Sequence, residues 1–222
     1  MASEARTAAD QLVADIGALP VRDTPSVRAL RRVRSRTWAN QPVDFVIGVA
    51  LELCRRRAFQ WLGYELIRRH AAFETLGDNL VEGLAGGLDS WDSVDGFARI
   101  LSGPAWVRGL ISDDLIDKWS AADDRWLRRA ALVSTVALNM PADGGAGDTP
   151  RTLEVCARLC DDRDDMVVKA LSWALRALAQ RDAEAVRAFL ATHDGSLAAR
   201  VKREVTHKLR TGRKSGSAAK GV

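Results

Sequence analysis

Apolar residues recur every three to four positions along most of the chain, and no stretch shows sustained apolar–polar alternation. That is the period of helices packed by one face, not of strands. After Pro42, the positions Phe45, Val46, Val49, Ala50 and Leu53 form one such stripe. Phe59, Trp61, Leu62, Leu66 and Ile67 form another between Arg57 and His70. Start signals punctuate the pattern. Thr24-Pro25 pairs a cap with a first-turn proline before the Arg-rich stretch to Arg36, and Ser90 stands before Trp91. Pro104 and then Ser112 or Asp113 open two further elements, and Asp123 or Asp124 caps a long helix through Leu138. A first helix is expected over Glu4–Gly17. The clear interruption is PADGGAGDTP, Pro141 to Pro150, expected to be a flexible loop between repeats because similar helices resume after it.

Many helices joined by short turns suggest stacked helical hairpins. Asp123-Asp124 followed by RWLRRAALVSTVAL is similar to Asp164-Asp165 followed by MVVKALSWALRAL, at an offset of 41 residues. HEAT-type repeats have periods of roughly 40–47 residues. The expected fold is therefore all-α, a HEAT-like helical-repeat solenoid forming an α-α superhelix, with a globin-like or bundle packing as the alternative. One domain is expected over residues 1–210, and a basic tail without an apolar stripe, expected to be disordered, over 211–222.

Composition narrows the class. The 222 residues are 47% hydrophobic and 28% charged, and no apolar run approaches the roughly 18 residues of a membrane span. The first residues, Met1 to Asp15, carry acids among small residues rather than a basic-then-apolar leader. Three cysteines give no paired framework and fit a reducing compartment. A cytoplasmic, nucleoid-associated monomer is the expectation. Residues 200–222 hold eight basic residues against one acid, a net +7, so the preceding 199 carry −3 of the chain's +4. Basic clusters at Arg28–Arg36, Arg55–Arg57 and Arg68–Arg69 oppose acidic ones at Asp113–Asp124 and Asp161–Asp165. Segregated charge suits a face for a polyanion, although solvated helix faces give the same pattern.

Common enzyme signatures are missing: the chain has no glycine-rich phosphate loop, no HExxH and no nucleophile elbow. Cys156 and Cys160 stand four apart without a His or further Cys nearby, so no metal site is expected, and no cofactor. His70, His193 and His207 lie far apart and read as structural or exposed. Seven tryptophans against one tyrosine are unusual. Trp61, Trp106, Trp119 and Trp126 fit core or inter-helix packing.

Trp91 and Trp173 fit a different pattern. Trp91 and Asp95 are four apart and share a helical face. Arg129 follows Asp95 by 34 residues, and Trp173 follows Arg129 by 44, each near one repeat. Equivalent helices in a solenoid stand side by side, so two indoles, a carboxylate and a guanidinium can converge on the concave face. The segments SWDSVD (Ser90–Asp95), KW…DDRWLRRAAL (Lys118–Leu132) and MVVKALSWALRAL (Met166–Leu178) resemble the AlkD-like DNA alkylation repair family, HEAT-like DNA glycosylases. The resemblance extends weakly back to VRDTPSVRAL near Val21 and forward to about Arg210. It implies that Asp95 is the catalytic aspartate, that Trp91 and Trp173 flank the lesion, and that Arg129 holds the DNA backbone beside it. The chain departs from the family at its N-terminus, where the first helix is short and lacks an aromatic residue.

The same resemblance implies a DNA N-glycosylase acting in base excision repair on N3- or N7-alkylated purines in double-stranded DNA. The lesion would lie against an open surface rather than in a deep base pocket. The residue types suit that chemistry. An alkylated purine is cationic and leaves readily, so one carboxylate can stabilise an oxocarbenium-like sugar and position water. Indole faces attract a cationic nucleotide, and a guanidinium can clamp phosphate. The alternatives are a non-catalytic HEAT-repeat protein that binds a protein partner, or one that binds damaged DNA without hydrolysis.

Overall fold

The computed structural model describes residues 2–213, so the part of the expected basic tail from Lys214 onward lies outside the described residues. Among the described residues all regular structure is helical, with no strand. None of these helices is long and apolar enough to cross a membrane. The chain divides into two compact units, Met1–Gly87 and Leu88–Val222.

In the first unit, α1 (Ala2–Gly17), α2 (Thr24–Thr37), α3 (Val43–Cys54), α4 (Gln60–Arg68) and α5 (Asp78–Ala85) form the main helices. The stripe Ala5, Ala9, Leu12 and Ile16 on α1 is buried, as are Val46, Val49, Ala50 and Leu53 on α3. Asp23 caps α2 by accepting the Ser26 amide, with Pro25 in the first turn. The stripe after Arg57 is less continuous than expected. It begins as a single tight turn, Arg57–Phe59, and His70 ends it by capping the next turn, Ala71–Thr75. Trp61 is only half-buried and lies under the Arg28 guanidinium, 5.4 Å from the ring centroid.

The second unit carries the repeat. Asp124 caps α9 (Arg125–Leu138) by accepting the Trp126 amide, and Asp164 caps α11 (Asp165–Leu178) by accepting the Met166 amide. The true offset is thus 40 residues, one fewer than the sequence match, and both helices have 14 residues. The two lie side by side. Around them stand α6 (Trp91–Phe97), α7 (Gly103–Val107), α8 (Asp113–Ser120), α10 (Thr149–Arg158), α12 (Ala183–Thr192) and α13 (Ala199–Thr211). Ion pairs link successive repeats at similar separations: Arg128 to Asp162, Arg125 to Asp164 and Arg200 to Asp165. This is the all-α helical-repeat fold, not a globin-like packing.

Helix α9 is buried on every side from Arg129 to Leu138. Its polar side chains are therefore paired internally. Ser134 meets Ser102 at 2.8 Å, Thr135 returns its hydroxyl to the Leu132 carbonyl, and Asn139, just past the helix, donates to Thr135 and Thr152. Trp106 and Trp119 fill the core as expected, whereas Trp126 is half-buried under Arg125, 4.7 Å from its guanidinium carbon.

Pro104 does not open a separate helix. Trp91 to Val107 runs as one helical stretch, widened over Ala98–Ser102 into a π turn in which the Gly103 amide reaches back to the Ala98 carbonyl. Proline has no N–H for the next α-type bond, so the ladder must widen before it. The PADGGAGDTP segment is also more constrained than a flexible loop. The Gly147 amide bonds the Leu138 carbonyl and Arg181 bonds the Asn139 carbonyl. A Cβ on Gly145 would fall 2.0 Å from the Ala137 carbonyl oxygen. Glycine there is a requirement of close approach, not of mobility.

Two substitutions should separate these cases in thermal melts. Gly145→Ala is expected to lower stability by about 1–3 kcal/mol, the usual cost of overpacking. Gly83→Ala, in the exposed turn of α5 where an added Cβ meets nothing within 4 Å, should raise stability by about 0.5–1 kcal/mol. Equal melting shifts for the two would refute the close-approach account.

Candidate functional site

The site begins with the cap of α6. Ser90 and Ser93 form a capping box, which starts the helix at Trp91 and fixes the rotation of everything after it. Val94 and Phe97 are buried, Phe97 against Trp119 with ring centroids 5.7 Å apart. Downstream, Gly103 lets this helical stretch lie on α9: an added Cβ would stand 2.8 Å from the Ala137 Cβ and 3.0 Å from the Ser134 carbonyl oxygen. With one face anchored in this way, Asp95 is directed at α9.

There it meets Arg129. The Arg129 Nε donates to one Asp95 carboxylate oxygen at 3.0 Å and Nη2 to the other at 2.9 Å, a two-pronged pair. Nη1 donates to the Met166 carbonyl in the first turn of α11 at 2.5 Å. The arginine side chain is 6% exposed and the aspartate 20%. Burial raises the Asp95 carboxyl above the usual carboxylate range, Arg129 pulls it back down, Asp92 pushes it up and Arg99 opposes that.

Asp95, Arg129 and Trp173 line one concavity of about 580 Å³, together with Lys169, Arg176, Arg200 and Glu204. Three of the four residues singled out from the sequence are thereby brought together. Trp91 is not in that lining; it sits one helical turn before Asp95 and is 58% exposed, a rare position for so large an apolar ring. Trp173 is half-buried.

Four lining residues escaped the sequence reading. Lys169 could have been found from the repeat, because the 40-residue offset places it at the position equivalent to Arg129. It pairs with Asp165 at 2.6 Å, and Asp165 also accepts from Arg200. Glu204, on α13, accepts from the Ser172 hydroxyl at 2.7 Å and from the Arg200 Nε at 2.9 Å. Burial pushes the Glu204 carboxyl up, but Ser172, Arg200 and Arg176 together hold it below its ordinary value. Arg176, one turn after Trp173, donates from Nε to the Ser172 carbonyl at 3.0 Å. Its Nη2 stands 3.9 Å from Glu204. No sequence spacing identifies that trio, because it joins α11 to α13 through side-chain bonds.

Among the described residues no group of three or more His, Cys, Asp or Glu side chains could hold a metal ion. Cys156 is fully buried, and burial pushes its thiol well above the usual range. What the concavity offers is two partly buried carboxylates, Asp95 and Glu204, an indole and several cations within one wall. It can stabilise a cation at a carboxylate and hold an anion nearby. No curated protein matches the chain at the level of whole-sequence similarity. The sequence pattern that defines the DNA alkylation repair enzymes, however, matches residues 25–209, spanning both Asp95 and the α11–α13 cations, and the chain belongs to that family.

Proposed function

We propose that the protein is a DNA N-glycosylase that removes N3- or N7-alkylated, positively charged purines from duplex DNA. The observation that carries this reading is Asp95 held in both prongs of a nearly buried Arg129 at the edge of a concavity shared with Trp173. A scaffold has no use for a carboxylate kept at a desolvation cost inside a cation-lined wall, where it repels phosphate.

The reaction follows from the charges. The C1′–N bond of the alkylated nucleoside breaks and the purine leaves with the bonding electrons, which cancel its positive charge. The sugar becomes oxocarbenium-like, and ionised Asp95 stabilises it across a short, poorly solvated gap. Water adds to C1′ and gives its proton to Asp95 or to bulk solvent. Trp173, and Trp91 one turn from Asp95, offer indole faces to the cationic nucleotide, an attraction of about 0.5–2 kcal/mol depending on desolvation.

Arg129 has a different task from the one its position first suggests. Its fork is spent on Asp95 and its remaining terminal nitrogen on a backbone carbonyl, so it orients and ionises the aspartate. A phosphate contact by Arg129 would have to be made at the expense of that pair. Arg176, whose terminal nitrogens come no nearer to an acid than 3.9 Å, is better placed to meet the backbone than Lys169 or Arg200, which already pair with Asp165.

Base release from methylated duplex DNA by the purified protein is the direct test. Asp95→Asn should abolish release of 7-methylguanine and 3-methyladenine while leaving DNA binding intact or tighter. Full activity in that variant removes the mechanism, and no release by the wild type favours a binding-only protein. Trp173→Ala should slow excision by about 2- to 30-fold, the kinetic equivalent of one cation–π contact, without collapsing the melting temperature.

The pH profile gives an independent check. Asp95 acts only when ionised, and burial raises its pKa, so excision should fall on acidification through a range above that of an ordinary carboxylate. Arg129→Gln removes the group that opposes burial and should move this acid limb to still higher pH. An acid limb that does not move would break the link between Arg129 and Asp95. Arg129→Lys should not restore the wild-type profile, because an ammonium cannot grip both oxygens in one plane.

A further inference from the structure

Trp173 and Arg176, one turn apart on α11, each line two concavities. One is the Asp95 concavity. The other, about 190 Å³, is lined by Met140, Trp173, Arg176, Ala177, Gln180 and Lys208. Both are cationic on balance, but the first also holds two carboxylates, Asp95 and Glu204, beside Arg129, Lys169, Arg176 and Arg200, whereas the second holds Arg176 and Lys208 and no acid.

We propose that the second concavity is a subsite for the sugar-phosphate of the nucleotide adjoining the lesion on the same strand. Lys208 and Arg176 meet the phosphate, and Met140 and the Trp173 indole cover the deoxyribose. The assignment deepens the DNA reading above and rests on it.

Three observations support it. Arg176 is anchored through Nε to Ser172, but its terminal nitrogens make no closer approach to an acid than 3.9 Å, although the side chain is only 12% exposed. A guanidinium that is mostly desolvated and incompletely paired is a site for an anion. Burial, with the like charge of Arg200 beside it, depresses its pKa against the pull of Glu204, and a bound phosphate would relieve that. Lys208 is fixed by donating to the Gly212 carbonyl at 2.6 Å, which leaves two of its three N–H groups free to turn to a ligand. That carbonyl is in reach because Gly212 ends α13 in the left-handed region, φ +69°.

The ligand's own charge pattern also matches. A cationic alkylated nucleotide is flanked by anionic phosphates, and here an acid-bearing concavity adjoins an acid-free cationic one across a shared tryptophan. In the first concavity Arg129, Lys169 and Arg200 are already paired with acids and a phosphate would also face Asp95 and Glu204; beside Lys208 it faces no acid. The indole between the two can serve a cation on one side and a deoxyribose on the other.

The test uses a duplex carrying one tetrahydrofuran abasic analogue, which no glycosylase can cleave, with a single neutral methylphosphonate walked along both strands. Full-length wild type should lose affinity several-fold when the linkage next to the analogue on its own strand is neutral. Lys208→Gln and Gln180→Glu should bind the unmodified duplex more weakly and show little further loss with that neutral linkage. Lys208→Gln should also reduce the slope of log K against log salt by about one. Lys208→Arg should keep wild-type affinity, which separates lost charge from lost folding. If the variants bind like wild type, or keep the full methylphosphonate penalty, the subsite is refuted. Failure of wild type to bind any duplex refutes the DNA reading itself, and base release from methylated DNA tests excision without reference to the subsite.

Discussion

The guanidinium of Arg129 joins three helices at one point. It grips Asp95 on α6 with two prongs and the Met166 carbonyl on α11 with a third, from a position on α9 that water scarcely reaches. A buried cation is tolerable only when its charge and donors are met, and here an acid and a carbonyl do so. One side chain therefore ties α6 to α11 at this end of the unit, in addition to the packing of each helix on α9.

Burial and pairing pull Asp95 in opposite directions. Desolvation favours the neutral acid, while the two-pronged cation favours the carboxylate. In the reaction proposed above, a carboxylate facing a developing sugar cation needs both: a low local dielectric to make its charge count, and a partner that keeps the charge present. The π turn that follows contributes to the same end. By widening before Pro104 and lying close on α9 through Gly103, the helix keeps Asp95 in line with Arg129. Such turns recur at functional sites because they reorient a side chain without ending the helix.

Much of this was legible in the chain. Periodicity and caps place several helix starts within a residue, because Ser90, Ser112 and Asp124 act as the caps expected of them, whereas α2 is capped by Asp23, one residue before the expected Thr24. One-repeat spacing brought Asp95, Arg129 and Trp173 together. Three features were not legible, each for a physical reason. The pairing of Arg129 with an acid rather than with solvent depends on how closely α6 approaches α9, which spacing does not encode. The glycines of PADGGAGDTP look like flexibility, yet Gly145 serves a tight approach to the end of α9. Glu204 and Arg176 act through bonds between helices whose registers only tertiary packing sets.

The basic clusters show why charge read along a chain overstates its affinity for a polyanion. Arg28 and Arg31 share Glu65, Arg34 pairs with Asp15, and Arg56 with Asp10, so the Arg-rich stretches of the first unit are partly neutralised within it. The acidic run at Asp161–Asp165 is equally misleading, since Asp162, Asp164 and Asp165 pair with Arg128, Arg125 and Arg200 and join neighbouring repeats. Surface pairs of this kind add little stability each, but they set which cations remain available. Availability, rather than number, then decides where an anion can settle. By that criterion Arg129 is spent, whereas Arg176 and Lys208 are not. On the reading proposed above, the cations that meet the sugar-phosphate backbone are Arg176, one turn beyond the tryptophan on α11, and Lys208 on α13.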